Sequence, residues 1–186
     1  MTEQTIDEKF AAEQKQADAD HHKPTAGAMT GHIVSNHFLL NIKLHQIKWF
    51  VKGANAENYK RVLNQTIDAN NAWYDKIADE LLDEGELPPS TMKEYSEYSM
   101  IEEDGKNKYL DASDMLQTVV DDFSTDNMFV TRAIKLAENE DRPFMAQVLV
   151  QLLGFNNHQI RIYQALLGKS AKEGFDDEDD DEDFDD

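Results

Sequence analysis

The chain has 186 residues, 40% of them hydrophobic, and no cysteine, which suffices for one substantial core and falls short of two. The missing thiols exclude disulfide frameworks, thiolate metal sites and sulfur nucleophiles. A formal charge of -20 opposes phosphate backbones and anionic lipids and makes cations the natural small partners. With no basic-then-apolar start and no run of about 20 apolar residues, the expectation is a soluble cytoplasmic protein without a membrane partner or an organic cofactor.

In chain order, Thr5 to Ala19 reads as a short amphipathic helix with Ile6, Phe10 and Ala11 on one side, an arm ending at His21-His22-Lys23-Pro24. From Gly31, Val34, Phe38, Ile42 and Trp49 recur at helical spacing until Gly53 stops the pattern. A second long helix is predicted from about Asn58 to Asp83, closed by Gly85 and Pro88-Pro89. Ser90-Thr91-Met92-Lys93-Glu94 opens like a capped helix, so a short helix to about Ser99 bridges the middle of the chain. Asp111 or Ser113 caps a third long helix, and Pro143 starts a fourth that ends at Gly168. No strand-length alternation appears. The expected fold is all-α: a ferritin-like four-helix bundle over 31–168, with a short crossover helix and an N-terminal helical arm over 1–30.

Residues 169–186 form an expected disordered acidic tail, since ten of the last eleven positions are Asp or Glu, broken only by Phe184. Such a run cannot offset its ordering entropy by burial. A cation sponge and a DNA mimic remain as alternative roles for it.

The stretch Asn41-Ile42-Lys43-Leu44-His45-Gln46-Ile47-Lys48-Trp49-Phe50-Val51-Lys52-Gly53 resembles the first-helix signature of the Dps family of the ferritin superfamily, lacking the histidine before Trp. Asp75-Lys76-Ile77-Ala78-Asp79-Glu80-Leu81 is similar to that family's second-helix acidic motif. Leu87 to Tyr95 resembles its crossover helix, and Gln164 to Gly168 its ending. The resemblance implies a homo-oligomeric shell of twelve subunits and a ferroxidase-type site at each two-fold interface, built from two histidines of one subunit and two carboxylates of its neighbour. Carried over by position, the carboxylates fall on Asp75 and Asp79, and the histidine positions hold Lys48 and Lys60.

A protonated lysine has only donors and a like charge to offer Fe(II), so it cannot replace an imidazole ligand. Asp75 and Asp79 lie one helical turn apart, where two like charges repel unless a cation sits between them. One reading makes Lys48 and Lys60 that cation, in an intersubunit salt-bridge cluster. The other leaves all four side chains facing solvent. The segment Lys60 to Asp68 carries Asp68 as its one acid, so the interior wall implied by the resemblance is poor in oxygen ligands for seeding mineral. Glu138-Asn139-Glu140-Asp141-Arg142 offers either a cation path or a plain charged loop.

His21, His22 and His32 flank the junction of arm and bundle beside Asp18 and Asp20, a chemically reasonable set for iron or another divalent metal. His37, His45 and His158 read as hydrogen-bonded or surface histidines, with His45, one turn from Lys48, an alternative ligand. DNA binding is implied by the resemblance and disfavoured by an arm in which acids outnumber lysines. The leading functional expectation is a Dps-like shell that binds or sequesters iron or another divalent metal in oxidative or starvation stress, with an impaired ferroxidase site. The alternative is a non-enzymatic cage, DNA-associated or architectural, with nucleoid association as its location, whose former metal site is a salt-bridge cluster.

Overall fold

The computed structural model describes residues 5–22 and 24–175, the side chains at 18 and 20–22 excepted. Among these residues the regular structure is entirely helical: α1 (Ile6–His22), α2 (Ala26–Phe50), α3 (Ala56–Asp83), α4 (Met92–Tyr98), a 3-10 helix (Gly105–Tyr109), α5 (Ala112–Asn139) and α6 (Pro143–Leu166). Helices α2 and α3 pair, α5 and α6 pair, and α2 packs on α5 across the bundle, while α4 lies against α2 within the crossover. This is the expected four-helix bundle.

The turn chemistry explains the boundaries. Gly53, Gly85 and Gly168 all have positive φ, at 106°, 80° and 74°, a left-handed conformation that glycine adopts without Cβ strain. Pro143 occupies the first turn of α6, where its missing N–H costs nothing. The Thr91 hydroxyl accepts from Glu94 N while the Glu94 carboxylate returns to Thr91 N at 2.8 Å, a reciprocal capping box. Burial alone would raise the Glu94 carboxyl, but donors from Ser90 and Thr91 outweigh it and hold the group below its ordinary value.

Two boundaries differ from the periodicity reading. The arm helix runs on to His22, just short of Pro24, and α2 begins at Ala26 instead of Gly31. Thr25 caps α2 by accepting from Ala28 N at 3.1 Å, and Ala26 N donates to Glu140 at 2.8 Å. These bonds and tertiary packing override the weak helix propensity of Gly27 and Gly31. Pro89 sits 3.6 Å from where a Cβ on Gly31 would lie.

The core is built from one face of each long helix: Ile33, Leu40 and Leu44 of α2, Leu63 and Ile77 of α3, Val119 and Phe123 of α5, and Met145 and Leu149 of α6. Burying each such side chain contributes about 1.5–3 kcal/mol, and truncating Phe123 to Ala would cost about 3–5 kcal/mol. Helix α2 is buried over most of its circumference, as a helix with neighbours on three sides must be. At its end the apolar pattern leaves the core: Trp49 is 67% exposed and Phe50 is 40% exposed.

Candidate metal centre and the polar groups of the bundle

Lys48 occupies the last turn of α2 and donates from Nζ to Asn64 Oδ1 on α3 at 3.0 Å. Lys60, in the second turn of α3, pairs with Glu57 Oε1 at 2.8 Å. Asp75 and Asp79 lie farther along α3, both exposed. Fifteen residues of helix separate Lys60 from Asp75, about 22 Å of rise, far beyond the reach of a lysine side chain. Within one chain the two lysines therefore stand apart from the two aspartates. A site containing all four requires a second chain.

The donor set at the lysine half does not suit Fe(II), because each ammonium brings protons and positive charge to a position where the metal needs a lone pair. Among the described residues no group of three or more His, Asp or Glu is gathered as a metal centre. Glu80, next to Asp79, turns the other way. It is 5% exposed, its Oε1 has no partner, and burial followed by the charges of Glu84 and Asp83 raises its carboxyl above the ordinary value.

Of the second histidine set, the His21 and His22 side chains lie outside the described residues. His32 is half-buried, with Nδ1 2.6 Å from the Tyr98 carbonyl oxygen and its ring against Tyr98 and Phe129. His45 Nδ1 bonds the Asn41 carbonyl at 2.8 Å and its ring abuts Trp49. His158 is exposed beside Arg161.

The region proposed as a cation path is held by Arg142, whose guanidinium reaches Glu86 at 2.8 Å, Glu140 at 3.3 Å and Glu84 at 3.7 Å. Burial alone would lower this group, but those carboxylates outweigh it. Glu140 also caps α2 through Ala26 N. It is engaged in joining the ends of three long helices, which leaves Glu138 and Asp141 as that loop's exposed acids without an ion pair among the described residues.

Sequence reasoning missed two buried polar assemblies. At the bundle centre Asp126 Oδ1 accepts from Asn36 at 2.9 Å, and its Oδ2 accepts from Asn156 at 2.8 Å and faces His37 Nε2 at 3.2 Å. His37 Nδ1 faces Asn70 Oδ1 at 2.8 Å, and Asn70 Nδ2 donates to the His37 carbonyl at 2.9 Å, which fixes the amide orientation. Both ring nitrogens thus face side-chain oxygens. All five residues are fully buried, and they come from α2, α3, α5 and α6. The second assembly is Lys43 on α2 with Asp122 on α5, Nζ to Oδ1 2.6 Å, at 7% and 10% side-chain exposure. Asp122 Oδ2 is buried without a partner. Burial drives the Asp122 carboxyl up to about 6 despite the adjacent ammonium. No local pattern announces either pairing.

A family model described as a ferritin-like domain matches residues 30–172. The fold is similar to that of DpsB of Lactococcus lactis, with a TM-score of 0.85 and 43% identity, covering 90% of this chain and 97% of that one. It is equally similar to DpsA of the same organism, with a TM-score of 0.85 and 38% identity over 91% of this chain and 99% of that one. In sequence the chain is also similar to a DNA protection during starvation protein of Listeria innocua, 25% identical over 142 residues, 76% of this chain and 91% of the relative.

Proposed function

Because the chain belongs to the ferritin-like domain family and, within it, to the Dps proteins, we propose that it forms a closed homo-oligomeric shell that sequesters iron or another divalent metal in stress, without a working oxidation site at its two-fold interface. The division into a 1–30 arm, a 31–168 bundle and a 169–186 acidic tail belongs to this reading, as does a cytoplasmic location. The protection of DNA named for the Listeria relative is then achieved by withholding metal, since a chain of charge -20 has little electrostatic drive toward phosphate.

The observation that carries the reading is the occupancy of both histidine positions by lysine, with Asp75 and Asp79 exposed and without an ion pair among the described residues. In the two-chain arrangement Lys48 and Lys60 neutralise those aspartates and form an intersubunit salt-bridge cluster where a cation would sit. The test follows Fe(II) loss with oxygen or peroxide in the assembled protein and in the Lys48→His/Lys60→His variant. The parent is expected to stay near the buffer rate and the variant to gain at least tenfold. A parent that oxidises Fe(II) rapidly, or a variant that binds Fe(II) no better at this interface, would overturn it.

A further inference from the structure

The arm helix turns a carboxylate inward and its apolar residues outward. Ile6 and Phe10 are 85% and 53% exposed, whereas Glu13 is the one described side chain of α1 that is not exposed. Glu13 lines a cleft of about 420 Å³ between the arm and the bundle, bounded on its other sides by the start of α2, the turn after α3, α4 and α5. Helix α2 presents Gly27, Ala28 and Gly31 to this space, and larger side chains there would fill it. A concavity built where several elements converge is the ordinary setting of a small-molecule site.

Its walls combine apolar surface with an excess of negative charge. Met29, Leu87, Pro88 and Pro89 line it beside three rings, His32 standing edge-on to Tyr98 with centroids 5.8 Å apart and 6.0 Å from Phe129. The charged groups of the lining are the acids Glu13, Glu86 and Glu94 and the exposed base Arg132. Glu86 is engaged by Arg142 at 2.8 Å. Glu94 takes its capping donors from Ser90 and Thr91 on Oε2 alone, which leaves Oε1 for a cation. Glu13 and Arg132 form no ion pair with each other or with another described residue. Outside the lining, exposed Lys93 and Glu97 add one charge of each sign. The Tyr98 hydroxyl registers the balance: burial raises it first, Glu97, Glu94 and Glu13 raise it further, and no base opposes them. A positive charge is therefore favoured here, next to rings whose faces attract it. The apolar walls disfavour a polyamine's additional charges, and the described residues gather no group of three metal ligands. We propose that the cleft binds an amphipathic organic cation, a primary ammonium on an apolar body, with the ammonium at Glu13 and Glu94 and the body against Tyr98 and Phe129. Because Glu13 belongs to the arm and Glu94 to the bundle crossover, the ligand clamps α1 onto the body of the molecule.

Phenethylamine and its neutral counterpart phenethyl alcohol, each titrated calorimetrically into the full assembled protein at about 0.15 M salt, where surface attraction is screened, test this. The amine should bind saturably, one per chain, and the alcohol roughly tenfold more weakly. Glu13→Gln and Glu94→Gln should each weaken the amine roughly tenfold and leave the alcohol unchanged. Glutamine preserves the capping box at position 94, position 13 lies on the arm outside the core, and helical content reports that both variants are folded. As a second measurement, tryptic cleavage after Lys9 and Lys15 should slow when the amine saturates the parent and stay unchanged with the same amine concentration on Glu13→Gln. Equal affinity for amine and alcohol, an amine affinity unchanged in Glu13→Gln, or an unsaturable uptake shared by parent and variants, as diffuse attraction to a chain of charge -20 would give, overturns the proposal.

Discussion

The Lys43–Asp122 pair gives a stability prediction whose sign can be worked from the structure. Asp122 is buried, with one oxygen 2.6 Å from Lys43 Nζ and the other without a partner, and its carboxyl is raised from 3.8 to about 6. A folded value above the unfolded one means that the folded state holds the proton more tightly. The favourable contribution is then complete below about pH 3.8 and is lost as pH rises through about 6. Two units correspond to about 3 kcal/mol. Other carboxylates titrate in the same range and Glu94 runs the opposite way, so the measurable quantity is a difference. Asp122→Asn keeps the shape and cannot ionise. Denaturant unfolding of both assembled proteins, at one protein concentration and several pH values, should show the parent gaining about 2 kcal/mol relative to the variant between pH 7 and pH 4, the rest of the ~3 kcal/mol appearing below pH 4. Parallel profiles for the two proteins would refute the assignment of the desolvation cost to this carboxylate. The double change Lys43→Met/Asp122→Leu should be near neutral or stabilising at pH 7, whereas Asp122→Leu alone should cost about 3–5 kcal/mol by stranding the ammonium.

Asp126→Ala removes the acceptor shared by Asn36, His37 and Asn156 and should cost about 3–5 kcal/mol. Thermal melting checks this, and a loss below 1 kcal/mol would mean that the centre is not a fixed network. Gly27→Ala places a Cβ 2.6 Å from Glu86 Cδ, and Glu86 cannot retreat without leaving Arg142. A cost of about 1–3 kcal/mol is expected. It should be largely absent in a Glu86→Ala background, and an unreduced cost there would place the strain elsewhere.

What the sequence disclosed was whatever local chemistry decides. Gly53, Gly85 and Gly168 read as stops because a left-handed residue is needed there, and Pro143 and the Thr91–Glu94 box read as starts because they settle helix-end donors. The start of α2 was hidden because the reasons Gly27 and Gly31 remain helical are Glu140, Glu86 and Pro89, all distant in sequence. Trp49 fits the helical period of α2, yet at the helix end it stands 67% exposed, with its ring against His45 of the same helix. The central network was invisible for a stronger reason. Asn36, His37, Asn70, Asp126 and Asn156 are each unremarkable in their own windows, and their chemistry exists where four helices bring them within 3.2 Å of one another.

The candidate metal centre extends that logic from one chain to two. Lys60 and Asp75 are rigidly separated on α3, so no side-chain rearrangement within a chain can bring Lys48 and Lys60 to Asp75 and Asp79. A neighbour can neutralise those aspartates, with either a metal held between chains or ammonium groups carried by the chain itself. A divalent ion is exchangeable, and an interface closed by it loosens when the ion is withdrawn. Two lysines supply the same total charge permanently, at the expense of the lone pairs that iron chemistry needs. In the proposed cluster, replacing imidazole by lysine therefore trades reactivity for an interface that does not depend on metal. The assembly mass by light scattering should accordingly be unchanged by a chelator. Salt and Lys48→Ala/Lys60→Ala should each shift it toward smaller species, because both weaken the intersubunit charge pairing that the proposed cluster supplies.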